Sequence, residues 1–270
     1  MDQFVDRLLP AVQVPIVLVT GDSDSSPVKR HRALLADPRI AHWFAQNCDV
    51  PERHPRLTRI PIGLDNPVFN KLEKRLGFML TMLLGRSPLD ASALRNDMGD
   101  QEALQHVRAA LPQPELRPLL ALCTFHQNQK LVTPDLKGLP ERAQAVRELA
   151  ANPLCHFVPR RLRQKECWMM HGEFAFEVSP QGNGIDCFRT WEAMLLGSIP
   201  IVLHSTLDPL FEDEQLPVVV LDTWADVSYL NLSRWRDEHQ QRLGSHVESV
   251  LRLGYWSAKI KKASLLAQKT

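Results

Sequence analysis

Between residues 117 and 221 the chain alternates short runs rich in β-branched residues with stretches whose apolar positions recur at helical spacing. Segments 119–125, 154–158, 174–178, 199–203 and 218–221 read as strands, and 141–151, 161–170 and 186–196 as helices. In 141–151 the apolar residues fall at 143, 145, 146, 149 and 150, which is one helical face. Strands that are apolar throughout have to be covered on both faces, and strand–helix–strand spacing of this kind makes neighbouring strands parallel. The expected fold class is therefore α/β, with a Rossmann-like parallel sheet in the second half of the chain. Two further helices, 229–243 and 246–267, close it.

The first half is less regular. Residues 14–20 read as a buried strand that ends in the polar turn Gly21-Asp-Ser-Asp-Ser-Ser-Pro27. A helix is expected over 34–44, with Trp43 and Phe44 turned to a core, and a strand over 57–63. Residues 64–116 read as helical without a clear pattern. Pro112, Pro114 and Pro118 break the chain there, which divides it into lobes at 1–115 and 116–270. Composition narrows the functional classes. With 44% apolar and 23% charged residues the chain has the makings of a core, which excludes a disordered or fibrous protein. Lys and Arg number 32 against 31 Asp and Glu, so no global field holds a polyanion and nucleic acid is not an expected partner. The five cysteines are scattered and never spaced as CxxC, which predicts neither a zinc knuckle nor a disulfide framework, and a reducing compartment. The acidic start does not resemble a signal peptide, and the apolar runs at 78–84 and 193–197 fall short of the ~20 residues a membrane helix needs. The expected location is cytoplasmic, with the Golgi lumen as the alternative if an N-terminal anchor has been removed.

Chemistry concentrates in 174–203. In open α/β sheets ligands bind beyond the carboxyl ends of the strands. Here a strand runs into the loop Ser179-Pro-Gln-Gly-Asn-Gly-Ile-Asp186 and then into a helix. Gly182 and Gly184 allow close backbone approach, Asp186 is placed to cap the helix, and the helix start favours phosphate oxygens. Arg189 and Glu192, three apart, share a helical face. An arginine there can fork onto a diphosphate, and a carboxylate can accept from a ribose diol. A plain strand-to-helix turn with a solvated ion pair explains the same spacing, and the third glycine of the dinucleotide fingerprint is absent.

The segment Ser179-Pro-Gln-Gly-Asn183-Gly-Ile-Asp186, followed by Arg189-Thr-Trp-Glu192-Ala-Met-Leu-Leu-Gly197-Ser-Ile-Pro200-Ile-Val, resembles the donor-site signature of exostosin-like glycosyltransferases. More loosely it resembles the ribose-binding helix of other GT-B transferases, including the α1,3-fucosyltransferases. The resemblance implies a GT-B architecture of two Rossmann-like lobes, with an acceptor-side lobe at 1–115 and a nucleotide-sugar lobe at 116–270. Gly21-Asp-Ser-Asp24, Trp43-Phe-Ala-Gln-Asn47 and Ile60-Pro-Ile-Gly63-Leu-Asp-Asn66 are similar to segments of the same group. Glu192 would hold the ribose, and Arg189 with the 182–184 turn would approach the diphosphate. The first lobe is short for such an enzyme, so this is either a minimal member or one whose N-terminal strand has been trimmed.

The resemblance implies sugar transfer from a UDP- or GDP-linked donor to a hydroxyl of a glycan or small molecule, inverting in outcome and with no cofactor. The general base expected in such a transfer is Asp24, with His31 as the alternative. Asp and Ser also cluster in ordinary turns. Arg160 and Arg163 sit at another strand-to-helix junction and are candidate phosphate contacts, or else a solvated helix face. Trp168, Met169, Met170 and Trp191 read as packing, His126 and His171 as isolated histidines, and 208–214 as a surface loop. Asp22-Ser-Asp24 matches a DxD motif by letter only, so metal independence is expected. The competing classes are a non-catalytic carbohydrate- or nucleotide-binding module and a Rossmann oxidoreductase that binds NAD(P).

Overall fold

The computed structural model describes residues 1–64, 104, 106–125, 139–160, 162 and 164–268. Most of the expected 64–116 helical region, together with His126 and Arg163, lies outside the described residues. The first sheet is parallel, with strand β1 at Ile16–Thr20, β2 at Ile40–Ala45 and β3 at Leu57–Arg59, in the order β1-β2-β3. Leu18 stands opposite Trp43, and Phe44 opposite Thr58. β2 overturns the helix expected over 34–44. Only a 3-10 turn, Arg32–Leu35, forms before Asp37-Pro38. A residue preceding proline is pushed out of the α region, and the Asp37 carboxylate is taken by the Arg39 backbone N–H at 2.8 Å and its guanidinium at 2.7 Å. The run after it, Ile40-Ala-His-Trp-Phe-Ala, then extends. Trp43 and Phe44 are buried as the sequence suggests.

The second sheet follows the sequence reading closely. In chain order it comprises β4 (Ala121–Cys123), α1 (Leu139–Leu149), β5 (Cys155–Phe157), α2 (Gln164–His171), β6 (Phe176–Val178), α3 (Phe188–Leu195), β7 (Ile199–Leu203), α4 (Asp208–Asp213) and β8 (Val219–Leu221). Its five strands are all parallel, in the order β5-β4-β6-β7-β8. Numbered within the sheet this is 2-1-3-4-5, a doubly wound order whose direction reverses between β4 and β6. Helices cover both faces. Ile199 and Ile201 pack with Trp224, Trp235 and Leu149 on one side, and Val202 packs with Trp191, Met194 and Phe211 on the other.

Two expectations in this half are corrected. Residues 208–214 are not a surface loop: α4 has Pro209 in its first turn, and Leu210, Phe211 and Glu214 are buried. The apolar Leu-Phe pair turns the acidic segment onto the core. The expected 246–267 helix is two helices, α6 (Ser245–Val250) and α7 (Leu253–Ala267), following α5 (Tyr229–His239); Arg252 between them is extended. α7 leaves the second sheet and packs on β1 and β2. Its Tyr255 hydroxyl and Lys259 ammonium both donate to the buried Glu214 carboxylate. No helix among the described residues is long and apolar enough to cross a membrane.

The proline-rich break is packed rather than free. Pro114–Leu116 is a 3-10 turn, and Arg117 is buried at 3% exposure. Arg117 Nε donates to the Pro112 carbonyl at 3.0 Å, and Nη2 to the Leu196 carbonyl at 2.8 Å, which completes the carboxyl end of α3. Burial lowers the Arg117 pKa to about 10. Gly197 permits this closure with φ +84°, and a Cβ there would lie 3.0 Å from Arg117 Nη2 and 3.1 Å from Pro114 Cγ. Gly197→Ala is expected to lower stability by at least about 1–2 kcal/mol, the cost of a left-handed L-residue. Urea unfolding checks this, and an unchanged midpoint would show that the 112–117 segment is not anchored at α3.

Candidate functional site

β6 carries an ionisable residue into an apolar strand. Glu177 is fully buried between Phe176 and Val178, beside the point where the strand order reverses. Its Oε1 accepts from the Thr124 hydroxyl at 2.6 Å and lies 3.8 Å from Arg189 Nε. Oε2 lies 3.1 Å from Nδ1 of His171, at the end of α2, in an ion pair without aligned hydrogen-bond geometry. Burial works against charge on His171, but the Glu177 carboxylate and Cys167 outweigh it and raise the imidazole to about 10. A buried charge pair of this kind is expensive to break.

Beyond β6 the loop 179–187 is held from two sides. On one side, the Gln181 N–H donates to Glu141 at 3.1 Å, and Arg142 Nε donates to the Gln181 carbonyl at 2.9 Å. Both clamping residues come from the start of α1. On the other side, the Asp186 N–H donates to Asn47 Oδ1 at 2.8 Å, and Asn47 Nδ2 donates to the Ser23 carbonyl at 2.8 Å. Asn47 adopts φ 49°, a conformation asparagine tolerates better than most side chains. The Asp186 carboxylate is fully buried and accepts from the Ile62 N–H at 2.7 Å, the Cys187 N–H at 2.8 Å and the Trp191 indole at 2.7 Å. Burial pushes this carboxyl up, to about 7, against the pull of those three donors. Asp186 thus ties the loop to the first sheet and the packing of α3 as well as reaching the helix start. The helix N-cap is Cys187, without a side-chain cap.

The sequence-predicted residues fall into three groups. Ser179 and Arg189 meet at the carboxyl end of β6, whereas Asp186 is buried just before α3 and Glu192 within it. Ser179 Oγ and Thr190 Oγ1 are 2.8 Å apart, Arg189 Nη2 donates to the Pro180 carbonyl at 2.6 Å, and Arg189 Nε donates to Ser179 Oγ at 3.2 Å. The Arg189 side chain is 13% exposed and lies over the Phe125 ring, and Glu192 is buried in the body of α3. Gly182, Asn183 and Gly184 form the crown of the loop. Its close approach is to protein: a Cβ on Gly184 would lie 2.8 Å from Asn47 Oδ1 and 2.9 Å from the Asp24 carbonyl, and one on Gly182 3.0 Å from Arg142 Nη2. The third group stands apart. Arg160 pairs with Glu166 at 3.1 Å on an exposed stretch, and Asp24 is an exposed residue of the β1 loop whose backbone meets Gly184.

Asn47, Thr124, Glu141, Arg142 and Glu177 were not anticipated from sequence. Glu177 had a visible signal, a lone carboxylate inside an apolar strand, and Asn47 closes the resembling segment 43–47 without a role attached to it; Thr124, Glu141 and Arg142 had none, because their partners are distant in the chain. Among the described residues no group of three or more His, Cys, Asp or Glu could hold a metal ion. The fold and this loop define an α/β protein with a Rossmann-like, doubly wound sheet and a structured loop at its switch point. No protein-family model matches the chain, and no curated protein matches it.

Removing His171 leaves Glu177 as a buried charge without its cation. His171→Gln is expected to cost about 3–5 kcal/mol near pH 6, the usual penalty for breaking a buried pair. Because the folded His171 pKa is raised from 6.5 to about 10, its contribution is complete below pH 6.5 and is lost as pH rises through 10. The deficit of the variant should therefore shrink between pH 6 and pH 9.5 in urea unfolding. A deficit independent of pH would mean that His171 is neutral in the fold.

Proposed function

We propose that the chain is a nucleotide-sugar-dependent glycosyltransferase of GT-B type, with the loop 179–187 and helix α3 forming the donor side. The observation that carries the reading is the meeting of two parallel sheets at their carboxyl ends. The loops after β1 and β2, through Asp24 and Asn47, abut the loop after β6 at Gly184 and Asp186. Ligands of open α/β sheets bind in such crevices, and two of them face each other here. The resemblance of 179–202 to a donor-site signature lies on that same loop and helix.

In this reading the nucleoside diphosphate lies at the start of α3. That helix has no side-chain cap, and its N–H groups and the Arg189 cation offset the charge that builds on the leaving diphosphate. Arg189 is held in place by Pro180 and Ser179 rather than free to swing, so little reorganisation accompanies bond breaking. Glu192 accepts from the ribose diol. The acceptor hydroxyl comes from the side of the first sheet, where Asp24 and His31 are the candidates to take its proton as the hydroxyl oxygen attacks the anomeric carbon. Transfer is metal-independent and inverting, with a UDP- or GDP-linked donor.

A second reading, a non-catalytic nucleotide- or carbohydrate-binding module, is favoured by one feature: Gly182 and Gly184 are packed against Arg142, Asn47 and Asp24. A thermal-shift panel of UDP, GDP, CMP and ADP without metal tests donor binding. A nucleotide at 100 times its Kd adds about 2.7 kcal/mol. At about 2–4 °C per kcal/mol for a chain of this size, the midpoint rises by several degrees. The expected result is a shift with UDP or GDP that is lost in Glu192→Gln. No shift with any nucleotide overturns both readings of the site as a nucleotide site. A shift without release of nucleoside diphosphate from any nucleotide sugar favours the module.

A further inference from the structure

Cys167 and His171 are four apart on α2, a spacing that puts both side chains on one helical face. There they meet: Cys167 Sγ stands 3.3 Å from His171 Nε2, within hydrogen-bond reach for sulfur. The other ring nitrogen, Nδ1, faces Glu177 Oε2 at 3.1 Å, so thiol, imidazole and carboxylate stand in a row. The His171 and Glu177 side chains are sealed in the core, at 1% and 0% exposure, whereas Cys167 is half-buried. The row is therefore closed at β6 and ends on the side nearer solvent in a sulfur. The Glu177 carboxylate favours the protonated imidazole, whose Nε2–H then donates to that sulfur. A sulfur beside a histidine cation is the setting in which cysteine acts as a nucleophile. Among the described residues no other cysteine is hydrogen-bonded to a histidine. Cys48 and Cys123 are buried, and burial pushes the Cys187 thiol up in spite of Arg189 and Arg142. Cys155, on β5, shares a hydrogen bond with Cys123 that favours charge on Cys155, which makes it the internal rival.

We propose that Cys167 is an oxidative modification site, a nucleophilic cysteine prepared by His171 and Glu177 that hydroperoxides convert to a sulfenic acid. In the step, the Cys167 sulfur attacks one oxygen of hydrogen peroxide. An S–O bond forms as the O–O bond breaks. The leaving hydroxide takes the proton that the thiol and His171 Nε2 share, and departs as water. Sulfur gives up two electrons and the peroxide accepts the same two, so thiol and peroxide become sulfenic acid and water. This is the reversible first rung of cysteine oxidation. His171 touches the reacting sulfur directly, and Glu177 is a positioning residue that acts through the imidazole. The same carboxylate has its Oε1 3.8 Å from Arg189 Nε, so the row that begins at Cys167 ends beside the Arg189 cation on α3.

The test treats the intact, reduced chain with hydrogen peroxide at neutral pH, traps sulfenic acid with dimedone, and follows the adduct at each cysteine by peptide mass spectrometry. An ordinary thiol is only a few per cent thiolate at neutral pH, so the expected advantage of Cys167 over Cys155 and Cys187 is on the order of 10-fold in rate. In concentrated urea, where the fold that joins the three groups is lost, the five cysteines should react at similar rates. His171→Gln, shown to be folded by circular dichroism, should lower the rate at Cys167 by about 10-fold. Cys167→Ser should remove the fast adduct and leave the slow ones. An adduct that forms at Cys155 or Cys187 as fast as at Cys167, no adduct at Cys167, or a preference that survives in urea overturns the proposal. So does a folded His171→Gln that keeps the parent rate. If His171→Gln does not fold, the ratio of rates in the native chain decides.

Discussion

The Asp186 carboxylate is the point on which the two sheets and the loop between them depend. It is wholly buried, and three donors converge on it from three places: the backbone after β3, the start of α3 and the indole on the first turn of that helix. Each donor would be left unsatisfied in an apolar setting without it, and such groups cost about 1–3 kcal/mol apiece. Because Ile62 belongs to the first sheet's chain and Trp191 to the core of the second, the same two oxygens align both. Asn47 repeats the arrangement from the opposite direction, accepting from the Asp186 N–H and donating to the Ser23 carbonyl. The approach of the loops at the carboxyl ends of the two sheets is therefore set by buried polar contacts, which fix geometry more narrowly than apolar packing does. Further from the loop, Arg59 and Thr206 add hydrogen bonds between the same two parts of the chain.

Behind the loop, the energetics invert the usual preference of a parallel sheet. β6 is apolar at Phe176 and Val178 but puts Glu177 between them, at the strand where the winding direction changes. Its charge is balanced locally, by His171 behind it and Thr124 beside it, with Arg189 further off. A sheet needs no such group for stability, since apolar residues of similar volume commonly serve as well or better. What the pair does provide is a buried carboxylate, Glu177, beside Arg189. Its Oε1 lies 3.8 Å from Arg189 Nε, which stands at the carboxyl end of the sheet.

How much of this the sequence disclosed follows from the range of the interactions. The second sheet was legible because its signals are local: β-branched runs such as Ile199-Pro-Ile-Val-Leu203 and the helical spacing of Ala145, Val146 and Leu149 each declare themselves within a dozen residues. β2 was misread because Leu34 and Leu35 begin a helical pattern and Trp43 and Phe44 are tolerated in helices, while the decisive signal was the single proline at 38. α4 was misread in the opposite sense, its charges outweighing Leu210 and Phe211 in a reading by composition. At the candidate site, Ser179, Asp186, Arg189 and Glu192 were found because they lie in one contiguous segment. Asn47, Glu141 and Arg142 were not, since their significance lies in hydrogen bonds to residues 39–139 positions away, which no periodicity records.

The roles of individual residues changed for the same reason. The glycines of the 182–184 turn suggest room for a ligand when read alone; in the fold that room is occupied by Asn47 and the Asp24 backbone at Gly184, and by Arg142 at Gly182. Small side chains were needed there so that one sheet's loop could approach another's. The neighbouring positions carry the polar groups: Arg189 at the uncapped start of α3, and Ser23, Ser25 and His31 after β1. Loops after parallel strands are where a doubly wound sheet can carry chemistry without disturbing its core. In this chain both sheets put their polar side chains there, and the packed glycines between them set how far apart the two polar surfaces stand.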